Sequence, residues 1–260
     1  MKTIQEIKKT KKQVYLTFTD ETIKAVELDL FFKFRLKVGL TVDAASWKQL
    51  NQENDYLYYE RLGIEKLRKM QSTFMLKSFL REKGCPDPLL DKLIHSFQTK
   101  KYLDDEAYVR LYLETKKYIH GPKMMTDKLK TDGVYFPLVD RLVATIDEEE
   151  ILTETIPKKV KTYKNRSEKQ ALEATRIHFM RKGYTREVIE RVLFKLQPTF
   201  NFQEIENLKK VAYKYLQTYE KKKEGYDLIQ TLKQKLYQKG YKMNDINAVL
   251  EEMNLSGVIR

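Results

Sequence analysis

Hydrophobic and polar positions follow two different periods along the chain. Near the N-terminus, apolar Val14, Leu16 and Phe18 alternate with residues of more polar character, which is the period of two expected of a half-buried strand. We therefore predict two or three short antiparallel strands between about Thr3 and Glu27, with short helices following them. A sheet of this size needs a helix to pack against.

Beyond the first 52 residues the period becomes helical, and one pattern recurs around four glycines. The glycines are Gly84, Gly133, Gly183 and Gly240, separated by 49, 50 and 57 residues. Seven offsets from each glycine carry the pattern: eight and four residues before it, and one, five, six, nine and ten after it. Of these 28 positions, 26 are hydrophobic. A fixed period near 50 residues is typical of a repeat protein.

Each copy of the pattern predicts three helices. The two offsets before the glycine share one stripe of a helix, and glycine suits the left-handed residue that ends it. The later offsets form one face of a second helix, with expected N-caps at Asp87, Thr185 and Asn244. A further helix fits before each copy, and Pro157 is expected to bend or break the one in the third copy.

These elements predict a mainly α protein. We expect four tandem three-helix-bundle repeats that form an elongated curved array, preceded by a small N-terminal antiparallel β element. The predicted domains are a β-hairpin and short-helix extension at 1–52, repeat 1 at 53–98, repeat 2 at 99–146, repeat 3 at 147–197 and repeat 4 at 198–260.

Composition indicates the class of protein and the compartment in which it is expected. Charged residues make up 33% of the 260 and hydrophobic residues 42%, which fits a folded protein. No apolar run is long enough to span a bilayer, and the lysine-rich start lacks a signal-peptide pattern. The single cysteine, Cys85, excludes an internal disulfide. We expect a cytoplasmic monomer that does not bind membranes.

Catalytic motifs are missing from the sequence. It contains neither a GxxxxGK nor a GxGxxG phosphate-binding motif. The three histidines, His95, His120 and His178, lack companions at metal-ligand spacing. Cys85 follows a predicted turn and is interpreted as a packing residue. We therefore expect neither an enzyme nor a cofactor or bound metal.

One stretch carries a family resemblance. The segment YLDDEAYVRLYLETKKYIHGPKMMTDKLKTDGV resembles the RecX family, regulatory proteins of the bacterial RecA recombinase. The matching features are Tyr102 and Leu103 with Asp104 and Asp105, an aromatic-bearing helix, the Gly121–Pro122 pair and the turn at Gly133. The segment FMRKGYTREVIERVL also matches. The family carries a basic residue where this chain has Asp132, and an Arg-Ser pair where it has Gln71-Ser72.

The resemblance implies a function. RecX-like proteins are tandem three-helix repeats that bind RecA filaments on single-stranded DNA and lower their ATPase, strand-exchange and coprotease activities. This places the chain in the regulation of DNA repair, recombination and the SOS response. The expected role is a non-catalytic modulator that caps or destabilises the filament.

The net charge of +13 leaves an alternative open. Such an excess attracts polyanions, so the chain could instead bind single-stranded or duplex DNA directly and act by competition for it. Basic clusters at helix ends also fit a solvated surface, since the helix dipole favours them there. The candidate partner- or DNA-binding residues are Lys116, Lys117, Lys123, Lys158, Lys159, Lys161 and Arg166, together with Asp104 and Asp105.

Overall fold

The computed structural model describes residues 2–11 and 13–255, and helices predominate in them. The strands are β1 (Lys2–Lys9), β2 (Gln13–Phe18), β3 (Ile23–Glu27) and β4 (Thr41–Val42). The helices are α1 (Leu28–Lys33), α2 (Ala44–Leu67), α3 (Thr73–Glu82), α4 (Asp87–Thr99), α5 (Asp105–Lys116), α6 (Pro122–Thr131), α7 (Phe136–Val143), α8 (Glu148–Lys161), α9 (Glu168–Arg181), α10 (Arg186–Leu196), α11 (Glu204–Tyr219), α12 (Gly225–Gln238) and α13 (Met243–Glu252). A mainly α fold with a small N-terminal antiparallel sheet is thereby confirmed.

The sheet has the strand order β3-β2-β1-β4, and every pairing is antiparallel. Val14, Leu16 and Phe18 are fully buried on one face of β2, as the alternation predicted. Phe18 packs edge-to-face against Trp47 of α2, with ring centroids 5.0 Å apart. The two-residue strand β4 was not predicted, because so short a strand has no readable period.

Helix α2 links the sheet to the repeats. It is 24 residues long and is capped by Asp43, which accepts the amides of Ala45 and Ser46. The predicted boundary between residues 52 and 53 falls inside this helix, so the extension and repeat 1 share it. Asn54 of α2 accepts the amide of Glu27 at 2.8 Å, and this bond helps to cover the edge of β3.

The chain forms two compact bodies: Met1–Leu111 with Leu129–Leu138, and Tyr112–Lys128 with Val139–Arg260. In the first body, α2, α3 and α4 pack against one another around an apolar core. In the second body, α8, α9 and α10 form one such bundle, and α11, α12 and α13 form another. Three of the four predicted repeats are thus seen as three-helix bundles with cores of their own, while the count of four stays a prediction.

The four glycines end equivalent helices. Gly84, Gly133, Gly183 and Gly240 have φ angles of 85°, 70°, 84° and 87°. In each turn the amide of the residue after the glycine donates to the carbonyl of the residue four positions before the glycine, which is the Schellman arrangement. A hydrophobic contact between these two residues accompanies the bond, which explains why both positions are apolar.

Burial follows the predicted offsets closely. At six of the seven offsets all four residues are buried, including polar Thr175. At the remaining offset, five after the glycine, Leu89, Leu138, Val188 and Asp245 are half-buried. Thr175 is accommodated because its hydroxyl donates to the carbonyl of Ala171 at 2.7 Å.

Helix α8 runs through Pro157 without the predicted break, and a bend at this residue stays a prediction. Ile156 and Val160, which lie before and after the proline, are buried in the bundle core. Two cap predictions were wrong. The predicted caps at Asp87 and Asn244 lie inside α4 and α13, which begin after Pro86 and Lys242.

Candidate functional site

Neighbouring repeats meet where the start of a second helix contacts the next glycine turn. At the first of these joints, the hydroxyl of Ser72 donates to the backbone oxygen of Asp132, the residue before Gly133. The same hydroxyl caps α3 by accepting the amide of Met75 at 3.1 Å. A Cβ at Gly133 would overlap Phe74 of α3. Glycine is therefore required by the close approach as well as by the backbone angle.

The predicted site residues Asp104 and Asp105 both have partners within the chain. Asp104 accepts the amide of Ala107 at 3.0 Å and so caps its own helix, α5. Asp105 accepts the amide of Thr73 at 2.7 Å and so caps α3 of the preceding repeat. These bonds give both carboxylates a structural role, and their part in partner binding stays a prediction.

Asp132 occupies the place where the resembling family carries a basic residue. Its side chain is buried, and its carboxylate accepts a hydrogen bond from the hydroxyl of Tyr108 at 2.8 Å. The unusual acid therefore belongs to the interior of the first joint.

The second joint uses the backbone in place of a serine. The amide of Gly121 donates to the carbonyl of Lys182 at 2.7 Å, and the amide of Lys123 donates to Gly183 at 3.2 Å. The hydroxyl of Tyr184 donates to the carbonyl of Lys117 at 2.7 Å, while burial raises the pKa of Tyr184 to about 12. These bonds fix the loop between α5 and α6 against the turn at the end of α9.

The third joint repeats the serine arrangement. Ser167 donates to the carbonyl of Lys239, the residue before Gly240, at 2.5 Å. The amide of Glu168 donates to the carboxylate of Glu204 at 2.8 Å. Burial raises the pKa of this half-buried carboxyl. Ser167 and Glu204 thus correspond to Ser72 and Asp105 of the first joint.

Basic residues gather at the second joint. Burial and the charges of Lys182 and Lys116 lower the pKa of His120. Burial and the charges of Lys159 and Lys182 lower the pKa of His178. The helix ends of α5, α8 and α9 therefore bring their cations together. We call this set the basic surface; its members are Lys116, Lys117, Lys123, Lys159, Arg166, Lys182, His120 and His178.

The aromatic ring of Tyr163 contacts two cations of the basic surface. The Lys159 ammonium lies 5.0 Å from the centroid of the Tyr163 ring, and the Arg166 guanidinium lies 4.5 Å from it. Cation–π contacts of this kind hold both cations without neutralising them. Both therefore keep their positive charge for an external anion.

The remaining predicted cations differ in how much charge they offer. Lys158 is exposed but pairs with Glu154 at 2.7 Å, and Lys117 pairs with Glu114 at 2.9 Å. Lys123 and Lys161 are exposed. We expect Lys158 and Lys117 to contribute less to anion binding than Lys159 and Arg166, because each is already paired with a glutamate.

The sequence prediction missed Lys182, His120 and His178. Lys182 precedes a repeat glycine, as Lys83 and Lys239 do, so the sequence does not single it out. The histidines lack metal-ligand spacing, and nothing in the sequence connects them with Lys182. His120 lies near Lys182 in the fold although the two are far apart in sequence. A helical period does not reveal such contacts.

The described residues offer little for catalysis. Cys85 is buried, and burial raises the pKa of its thiol to about 11, which disfavours the nucleophilic thiolate. Within the described ranges, His, Cys, Asp and Glu side chains form no group of three or more that could hold a metal ion. Among the same residues, none of the helices has the length and apolar character needed to cross a bilayer.

The fold and the site define a helical-repeat protein with a basic surface at one of its joints. Residues 203–250 match a family model described as RecX, third three-helix domain. This segment lies within the residues predicted as repeat 4. This segment is similar to the third three-helix domain of the RecX family, and relatives named regulatory protein RecX match most of the chain.

Relatives resemble the chain over most of its length. A regulatory protein RecX from Halalkalibacterium halodurans is 27% identical over 236 residues, which is 88% of each chain. One from Streptococcus equi subsp. zooepidemicus is 26% identical over 257 residues, covering 96% of this chain and 98% of the relative.

Solved structures agree on the fold. A crystal structure of regulatory protein RecX superposes with a TM-score of 0.52 at 18% identity, covering 74% of this chain and 98% of that one. The crystal structure of RecX from Lactobacillus salivarius gives 0.51 at 16% identity, covering 56% of this chain and 98% of that one.

Proposed function

We propose that this chain binds RecA filaments on single-stranded DNA and inhibits their ATPase, recombinase and coprotease activities by capping or destabilising the filament. The observation that carries the proposal is the basic surface in a chain similar to RecX proteins, where three separate helix ends place unneutralised cations around one joint. A nucleoprotein filament is a polyanion, and such a surface would speed encounter with it.

The repeat construction supports inhibition at low stoichiometry. Several bundles joined in one chain allow contacts that are weak individually to act together through a high effective concentration. A chain that holds more than one protomer at once would act on the filament at far less than one copy per protomer.

The test is RecA ATPase activity on single-stranded DNA with increasing amounts of the chain. Inhibition at well below one chain per RecA protomer is the expected result. Inhibition that appears only when the DNA itself is saturated would contradict capping, because it would indicate competition for DNA.

The contact surface is tested by charge reversal. The double variant Lys159→Glu/Arg166→Glu is expected to weaken inhibition by at least about tenfold, since two desolvated ion contacts are each typically worth about 1 kcal/mol or more. The matched control is Lys158→Glu, whose lysine is already paired with Glu154. Unchanged inhibition by the double variant would exclude this part of the surface.

Direct DNA binding is the second candidate, and the same basic surface favours it. It would give tight binding to naked DNA with a steep dependence on salt, since released counterions drive such binding. Affinity measured in the absence of RecA at several salt concentrations separates the two functions.

A further inference from the structure

Two of the three histidines of the chain flank one lysine at the second joint. His120 directly precedes Gly121, whose amide donates to the carbonyl of Lys182 at 2.7 Å. His178 lies one helical turn before Lys182, and its carbonyl accepts the Lys182 amide at 3.2 Å. Backbone bonds therefore bring the backbones of His120 and His178 next to that of this lysine, and all three residues are half-buried.

In the part of the chain that the structure describes, the charges that shift the pKa of these imidazoles are those of lysines. Lys116 reaches His120 from α5, Lys159 reaches His178 from α8, and Lys182 acts on both from the end of α9. Burial and these charges lower the pKa of each histidine below its ordinary value of 6.5. With no partner bound, both rings are therefore mainly neutral at neutral pH.

The site also has an unmet hydrogen bond. Nδ1 of His120 is buried and has no hydrogen-bond partner among the described residues. Buried polar atoms without partners are rare in native proteins and call for a missing water, ion or ligand. Because this atom is closed to solvent, a protonated His120 would offer an incoming anion only its Nε2–H.

We propose that His120, Lys182 and His178 form a subsite for a nucleic-acid phosphate, and that binding there is coupled to protonation of the two imidazoles. The proposal rests on the proposed function in one respect, namely that a polyanion reaches this surface. The subsite goes beyond that function in three ways: the ligand is a phosphate group, three named residues bind it, and the affinity depends on pH.

The sign of the dependence follows from linkage. A bound phosphate reverses the local potential, so it raises the pKa of both histidines relative to the free protein. Between the free and bound values, binding takes up protons, and affinity rises as the pH falls. Each coupled proton contributes up to about a tenfold change in affinity per pH unit.

The test measures the affinity of the full chain for a fluorescein-labelled oligothymidylate, without RecA and at constant ionic strength. Between about pH 7.5 and about pH 6.0, wild-type affinity is expected to rise about tenfold or more. The double variant His120→Gln/His178→Gln is expected to lose most of this rise. His95→Gln is the matched control, because His95 is the remaining histidine and lies exposed on α4.

Two results would overturn the subsite: a wild-type affinity that does not change with pH, or a double variant that keeps the full change. Circular dichroism checks that the variants fold. If the double variant does not fold, the single variant His178→Gln must still lower the dependence of affinity on pH.

Inhibition of RecA is measured separately. A chain that inhibits RecA but binds DNA independently of pH overturns only the subsite, and the reverse result overturns only the proposed function.

Discussion

The first and second joints occupy equivalent places in the repeat but present opposite chemistry. At the first joint, Ser72 and Asp105 hold α3 against the turn, and buried Asp132 precedes the glycine. At the second, Gly121 makes the corresponding contact through its backbone, and Lys182 precedes the glycine. The position before the glycine therefore holds an internally hydrogen-bonded acid in the first joint and a lysine in the second.

The difference shows how a repeat protein acquires a site without changing its fold. The glycine turn, its Schellman bond and the buried offsets are common to both joints. The residues beside the turn nevertheless differ between the two joints, with Asp132 before Gly133 and Lys182 before Gly183.

The largest effect is expected from alanine at a glycine that a neighbouring helix approaches. A Cβ at Gly183 would lie 2.7 Å from the backbone nitrogen of Met124, and its φ is also unfavourable for alanine. Gly183→Ala should cost about 3 kcal/mol or more, since strain and overlap add. Gly84→Ala is the control, because its Cβ would meet only the Tyr59 hydroxyl at 3.6 Å. It should cost about 1–2 kcal/mol for the backbone angle alone.

Urea denaturation of both variants measures the difference. Equal losses of unfolding free energy would contradict the view that Gly183 serves a joint and Gly84 does not.

A smaller loss is expected when a joint serine is removed. Ser167→Ala removes the cap of α9 and leaves the Lys239 carbonyl without this donor, at a cost of about 1–3 kcal/mol. Thr218→Ala is the control, since its exposed hydroxyl bonds only within its own helix, and it should change stability by less than about 0.5 kcal/mol. A Ser167→Ala variant as stable as this control would show that the hydroxyl does not hold the joint.

The smallest effect concerns the pH dependence of the third joint. The pKa of Glu204 is raised in the folded chain, so its contribution favours folding below the unfolded pKa and is lost as pH rises through the folded value. Glu204→Gln keeps an acceptor for the Glu168 amide and removes the titration. From about pH 4 to about pH 7, wild type should lose stability relative to the variant by less than about 1 kcal/mol, because the group is half-buried.

This comparison is made by urea titration of both proteins across that range. A wild type that gains stability over the variant as pH rises would show that the carboxylate is favoured in its charged form.

Much of the fold was predictable because it depends on local periods. Val14, Leu16 and Phe18 gave the buried face of β2, and the offsets from Gly84 and its counterparts gave the core. The caps were placed less well, because Pro86 and Lys242 begin their helices without a capping side chain. A polar residue near a helix start is a weak guide to its first residue.

The site was only half predictable for a different reason. Runs of lysine marked the ends of α5 and α8, but the hydrogen bonds that assemble the joints connect residues far apart in sequence. Ser72 and Asp132 are separated by 60 positions, and Ser167 and Lys239 by 72. Such contacts depend on how one bundle packs on the next, which a hydrophobic pattern does not specify.

The most direct measurement of the central claim compares two lysines that hold the same place before a repeat glycine. RecA ATPase inhibition on single-stranded DNA is titrated with Lys182→Glu and with Lys83→Glu, which carry the same charge change at the second joint and in repeat 1. We predict that Lys182→Glu requires at least about tenfold more protein for half-inhibition, while Lys83→Glu stays within about twofold of wild type. Equal loss in both variants, or none in Lys182→Glu, would contradict the assignment of the second joint as the contact surface.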